Sequence, residues 1–287
     1  MKDVYKQKPL PSSNELFKMV LEKFCLPAST PQVFLTRSSH FQRHTFDFGV
    51  LPARIGDILN QQLNVNSFAN ELKGFTMRRS TRSVLAMNIA LSISYDPNSG
   101  LSSTLLLGCS DTQQSFVREQ LKTNYALADH PLILPTLFTT YQRRLINKER
   151  KMLWVSLLEI ETQSGRTGAP AIGSRVPQDQ LRDYESITNG VLGIIQLTAA
   201  WESYTKALLL GIESIQESIT YISAKAPVSR KAKVEAAAAI LSEWLTFVSH
   251  KSNVMLWDIQ FIHKRAQAQM TAVSYENHNH IFIYGTN

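Results

Sequence analysis

Residues 241–266 read LSEWLTFVSHKSNVMLWDIQFIHKRA. Leu241, Leu245, Val248, Ser252, Met255, Ile259, Ile262 and Ala266 recur there at alternating steps of four and three, which keeps one side of an α-helix apolar over nearly four heptads. The stretch from Pro177 to Ser223 carries a matching seam through Trp201, Tyr204, Leu208, Ile212, Ile215, Ile219 and Ile222. Pro227 separates the two, and Ser229 is placed to cap the second. Each rod holds roughly 45 residues and would extend on the order of 70 Å. Joined by the short link AKAPVS, they are expected to lie antiparallel. Stripes this long have to be covered by each other, by the rest of the chain, or by another copy. An intramolecular bundle is the plain expectation and self-association the sharper one. The second rod is expected to stop near Val273, because the closing SYENHNHIFIYGTN shows no helical period.

Upstream, HPLILPTLF opens another helical run with Pro131 and Pro135 near its start, and no Gly or Pro follows until Gly165. TQSGRTGAPAIGSRVP then reads as a loop. The first half mixes periods. SSNELFKMVLEKFCLP puts Phe17, Val20, Leu21 and Phe24 on one helical stripe ended by Pro27. FQRHTFDFGV alternates like a half-buried strand, and PARIGDILNQQL returns to helical spacing. SVLAMNIALSISYDPNSGLSSTLLLG predicts a β-hairpin: Met87, Ile89, Leu91, Ile93 and Tyr95 share a face, and DPNSG supplies the turn. Ser110 with Gln113 three places on is a capping-box pattern that starts a helix.

Composition narrows the function classes. The chain has 287 residues, 44% hydrophobic and 18% charged, with 12 Gly and 11 Pro, which suits an ordered globular protein. No secretory leader is read at the start, Cys25 and Cys109 are too few for a disulfide framework, and the longest apolar run, Val191 to Trp201, is too short to span a bilayer. A cytoplasmic location is therefore expected. The net charge of +7 admits an acidic partner, but the basic groups MRRSTR, YQRRLINKERK and SRKAK are short and come without a nucleic-acid reading module, so nucleic acid is not expected.

No catalytic constellation emerges, and the chain is not expected to be an enzyme. GAPAIGS (Gly168 to Ser174) has phosphate-loop spacing without its lysine. His278 and His280, with Glu276, form a weak metal pattern in the tail. His130 precedes Pro131 as a helix-entry residue, and Cys109 follows an apolar strand as a small hydrophobe. Trp201, Trp244 and Trp257 are expected to anchor a core or an interface. Glu202, Glu213 and Glu217 on one rod and Asp258 on the other could hold a hard divalent ion between chains, or simply face solvent.

TPQVFLTRSSHFQRHTFDF, SISYDPNSGLSSTLLLGCSD, DHPLILPTLF and RAQAQMTAV, together with the order of an α/β layer, one helix and two very long helices, resemble the cytoplasmic portion of CorA-family magnesium channels, in particular CorA-like proteins of filamentous fungi. The resemblance runs from about Pro27 to Val273. It implies that the last rod is a stalk, and that the family's two membrane helices and Gly-Met-Asn loop, neither of which occurs here, are lost by shortening or altered splicing or belong only to inserted relatives. His263, Lys264 and Arg265 would then complement a helix C-terminus or lie beside a membrane.

The reading is an α+β fold: an amino-terminal α/β-type domain over 1–130, a long-helix region over 131–274 and a tail over 275–287. Functionally it is a CorA-like soluble domain without a pore, structural or regulatory in magnesium transport or homo-oligomer assembly. Magnesium is the one cofactor considered, and no metal-ligand set is assigned. The alternative is an adaptor that binds another protein through the long apolar stripe.

Overall fold

The computed structural model describes residues 14–23, 26, 40–46, 72–79, 89–97, 99–165 and 184–284. The fold is α+β: a four-stranded antiparallel sheet with long helices. In chain order the elements are α1 (Asn14–Lys23), β1 (His40–Phe46), β2 (Leu72–Arg79), β3 (Ile89–Tyr95), β4 (Ser102–Leu107), α2 (Asp111–Thr123), a 3-10 turn at Tyr125–Leu127, α3 (Ile133–Gln163), α4 (Tyr184–Ala224) and α5 (Val228–Tyr284). The chain divides into two compact units. One comprises Met1–Phe138 with Glu213–Glu243, the other Thr139–Ile212 with Trp244–Asn287. Each of the long helices thus contributes to both units, a division the linear order of the sequence does not suggest.

In the first unit the strands run β1-β2-β3-β4, each antiparallel to the next. The predicted hairpin is β3–β4, and its turn closes through Gly100 N–H to the Asp96 carbonyl at 2.8 Å and Asp96 N–H to the Leu101 carbonyl at 3.0 Å. Gly100 sits at φ 73°, where a side chain would be strained. Residues 90–95 of β3 are buried on both faces. Leu91, Ile93 and Tyr95 form the bulky face, while Ala90, Ser92 and Ser94 keep the other shallow enough for a helix to approach. α1 uses that room: Phe17 and Leu21 cluster with Ala90, Leu105 and Leu107. α2 begins with the predicted capping box, Ser110 N–H donating to Gln113 Oε1 at 2.8 Å and Gln113 N–H to Ser110 Oγ at 3.3 Å. The segment expected to be helical at 52–63 lies outside the described residues.

Also in the first unit, the end of α4 and the start of α5 make a helical hairpin across the short turn around Pro227, with Ile215, Ile219 and Ile222 buried on one arm and Val234, Ala238 and Leu241 on the other. α5 starts at Val228, so Ser229 lies inside the first turn and does not take the capping position expected for it.

In the second unit α3, α4 and α5 form an up-down-up bundle. α3 runs parallel to α5, since Arg150 pairs with Asp258 and Glu161 with Arg265. α4 runs antiparallel to α5, since Thr198 meets His263 and Glu202 meets Gln260. Every residue of the predicted α5 seam is buried, as is the α4 seam except for half-buried Tyr204. The seam of α4 also reaches further back than expected, through Ile187, Val191, Ile194 and Thr198. Buried polar residues are satisfied within their own helices: Thr198 and Thr205 of α4 and Ser252 of α5 donate to the carbonyls of Ile194, Trp201 and Val248 at 2.7–2.8 Å.

The expected stop of the second rod near Val273 does not occur. The expected tail is helical as far as Tyr284, the last described residue, because α5 continues that far. No Gly or Pro interrupts 228–284, so the loss of apolar period at Ser274 does not end the backbone helix. One strand has no clear signal in the sequence. LKGFTMRR forms β2 although Gly74 and two closing arginines dilute its pattern, because hydrogen bonds from both neighbouring strands outweigh local propensity.

Candidate functional site

Two polar clusters stand out, one in each unit. In the first unit Arg230 reaches from the opening turn of α5 to the β3–β4 turn. Its Nη2 donates to Asp129 Oδ1 at 3.0 Å, and its guanidinium lies so close over Gly100 that a Cβ there would stand 1.1 Å from Nη1. A cation in the first turn of a helix opposes the helix dipole, and Asp129 offsets that. Tyr95 is buried beside the same guanidinium; burial raises its phenol pKa, and the Arg230 charge pulls the other way without cancelling it. Beside Asp129, His130 is fully buried. Its Nδ1 accepts from the Leu132 N–H at 3.2 Å, and burial lowers its pKa to about 4. The imidazole is therefore neutral with its proton on Nε2, an atom without a partner among the described residues. The expected helix-entry role for His130 fits this placement.

In the second unit Glu161 is 1% exposed and Arg265 donates to its Oε2 at 2.6 Å. The same guanidinium lies 5.1 Å from the centre of the Trp154 ring and 6.0 Å from that of Phe261, and these two rings stack at 6.0 Å. The role expected of His263, Lys264 and Arg265 at a helix C-terminus does not hold, since α5 runs on to Tyr284. Arg265 instead compensates a buried carboxylate on α3, and His263 Nδ1 lies 2.8 Å from the Thr198 hydroxyl on α4. Glu161 and Arg230 had no signal in the sequence, since each lies on a helix among other charges and gains meaning only from the partner the fold supplies.

Within one chain the candidate ion ligands do not converge. Glu202 is occupied by Lys206 at 2.8 Å and by Gln260 at 2.9 Å, and the hydrogen bond from Lys206, then that from Gln260, lowers its pKa. Asp258 pairs with Arg150, and Glu213 and Glu217 are exposed. Among the described residues no group of three or more His, Cys, Asp or Glu is arranged to hold a metal ion. Residues 168–174 lie outside the described residues, as do the side chains of Glu276, His278 and His280. Trp201 is the anchor expected, buried and edge-on to Tyr204 at 5.4 Å, and Trp244 is half-buried. Trp257 is no core anchor: it is 66% exposed, because it falls outside the four-three seam of α5. Cys109 is half-buried, and burial pushes its thiol up to about 11. No described helix is long and apolar enough to cross a membrane.

Compared with family models, with curated proteins and with solved structures, the chain finds no match in any of the three.

Proposed function

We propose that the chain is a CorA-like domain with a structural or regulatory role in magnesium transport, acting by assembly with further copies of itself. The observation that carries the reading is the pair of long helices, α4 at 41 residues and α5 at 57, joined by a short turn and preceded by a small sheet, which is the element order the resemblance implies. The apolar seams are consumed inside the chain, so assembly of intact copies has to use other side chains. Large apolar residues remain outside the seams, among them Leu192, Leu197 and Leu210 on α4 and Met152 and Val155 on α3. Asp258 and Glu161 are taken up by ion pairs, and among the described residues no three carboxylates or imidazoles are grouped for a metal, so a divalent ion would act between copies and not within one.

Size-exclusion chromatography with light scattering, with and without millimolar magnesium, tests this. A magnesium-sensitive oligomer, a pentamer above all, supports it. A strict monomer indifferent to the ion overturns it and favours an adaptor that binds a different protein.

A further inference from the structure

We propose that the face of the second unit formed by α3 and α5 docks on an anionic lipid surface, with Trp257 and Phe261 entering the headgroup boundary and Lys151 and Lys264 meeting the lipid charge.

The Trp154–Phe261 stack fixes which residues share this face. On α3, Lys151 and Leu158 stand three and four residues either side of Trp154; on α5, Trp257 and Lys264 stand four and three either side of Phe261. Lys151, Leu158 and Trp257 are exposed, Trp257 by 66%, Phe261 is itself 55% exposed, and Lys264 is exposed beside it. The two rings alone leave on the order of 200 Å² of aromatic surface uncovered. Aromatic rings beside lysines, on a helix already folded, are the composition that partitions into a membrane interface.

Charge selects the occupant. Between 247 and 275 the only carboxylate on α5 is Asp258, and Arg150 neutralises it. Glu161 is buried under Arg265. Glu149 and Glu159 on α3 stand five residues from Trp154, off its row. Lys151 and Lys264 have no ion-pair partner among the described residues. The net field of the face is therefore positive. A second copy placed by a two-fold axis would lay this positive patch against an identical positive patch, whereas an anionic bilayer meets both lysines. A nucleic acid would need a longer track of free cations than two lysines provide, since Arg150 and Arg265 beside the stack are already engaged by carboxylates.

The proposal is independent of the self-assembly reading. The experiment is co-sedimentation of the full chain with phosphatidylcholine vesicles, with and without phosphatidylserine. Expected is binding that needs phosphatidylserine and falls with salt, with a blue shift of tryptophan emission that Trp257→Phe removes. Lys151→Gln/Lys264→Gln is expected to weaken partitioning about 25-fold, at about fivefold per lysine, and Trp257→Ser/Phe261→Ser to abolish it. Circular dichroism and light scattering on the same variants separate this from misfolding and from loss of assembly. Absence of binding, or equal binding by the lysine variant, overturns the proposal. So does preferential capture by duplex RNA in competition, or a Trp257→Ser/Phe261→Ser variant that loses oligomeric mass while wild-type protein ignores vesicles.

Discussion

Acidification should destabilise the first unit through His130, and the size of the effect is set by its surroundings. The neutral ring accepts from the Leu132 N–H at Nδ1. Protonating that atom would turn the contact into donor against donor in a place without solvent. The folded pKa is about 4 against 6.5 for an exposed imidazole, so the unfolded chain binds the proton first as pH falls. The contribution is complete above pH 6.5 and is lost as pH drops towards 4. By linkage, the loss is about 1.4 kcal/mol at pH 5.5 and about 2.5 kcal/mol at pH 4.5. Carboxylates titrate over the lower part of that range, so the measurement is the difference between wild type and His130→Asn in urea unfolding from pH 7 to 4.5. Asn keeps an acceptor near the Leu132 N–H and removes the titration. The gap between the two proteins should change with pH by the stated amounts, in the direction that favours Asn in acid. A gap that stays flat, or an NMR titration of His130 near 6.5, would show that burial does not hold the ring neutral.

Arg265→Met should cost about 3–5 kcal/mol in urea unfolding by stranding the Glu161 charge, while Glu161→Gln/Arg265→Met should recover most of it; a single-variant loss below about 1 kcal/mol would mean that water reaches the carboxylate. Gly100→Ala should lower the melting temperature both through its positive φ and by displacing Arg230 from Asp129, and adding Arg230→Ala should relieve the clash without the backbone strain. In a Cys25→Ser background, Cys109 should react with a disulfide reagent at pH 8 far more slowly than free cysteine, since a thiol pKa of about 11 leaves about one part in a thousand as thiolate; ordinary reactivity would show that the thiol is not shielded.

The seams were legible because burial along a straight helix repeats. Leu241 to Ala266 announce themselves by spacing alone, and the same holds for the Ser110 cap and the hairpin turn, whose signals are local. Functional chemistry was much less legible. Arg230 matters because the β3–β4 turn lies under it, more than 120 residues away in the chain, and Glu161 matters because Arg265 comes alongside. Such pairs are created by topology. A charge on a helix looks the same in sequence whether water or a buried partner receives it.

The carboxyl-terminal stretch illustrates the opposite error. Apolar periodicity reports what a helix packs against, whereas helix formation itself requires only that nothing break the hydrogen-bond ladder. After Val273, the last buried seam residue among the side chains described, the sequence no longer repeats an apolar face, yet the backbone remains helical to Tyr284. A helical stretch without a periodic apolar face has little intrinsic stability, because most helical stability comes from packing of such a face. Its persistence therefore depends on propagation from the buried seam upstream. Asn279→Pro, whose i−4 carbonyl is that of Tyr275, should unwind the last turns of α5 while leaving the seam through Val273 intact, read as a small drop in helicity with no change in urea midpoint. A large shift in that midpoint would show that residues past Ser274 also hold the second unit together.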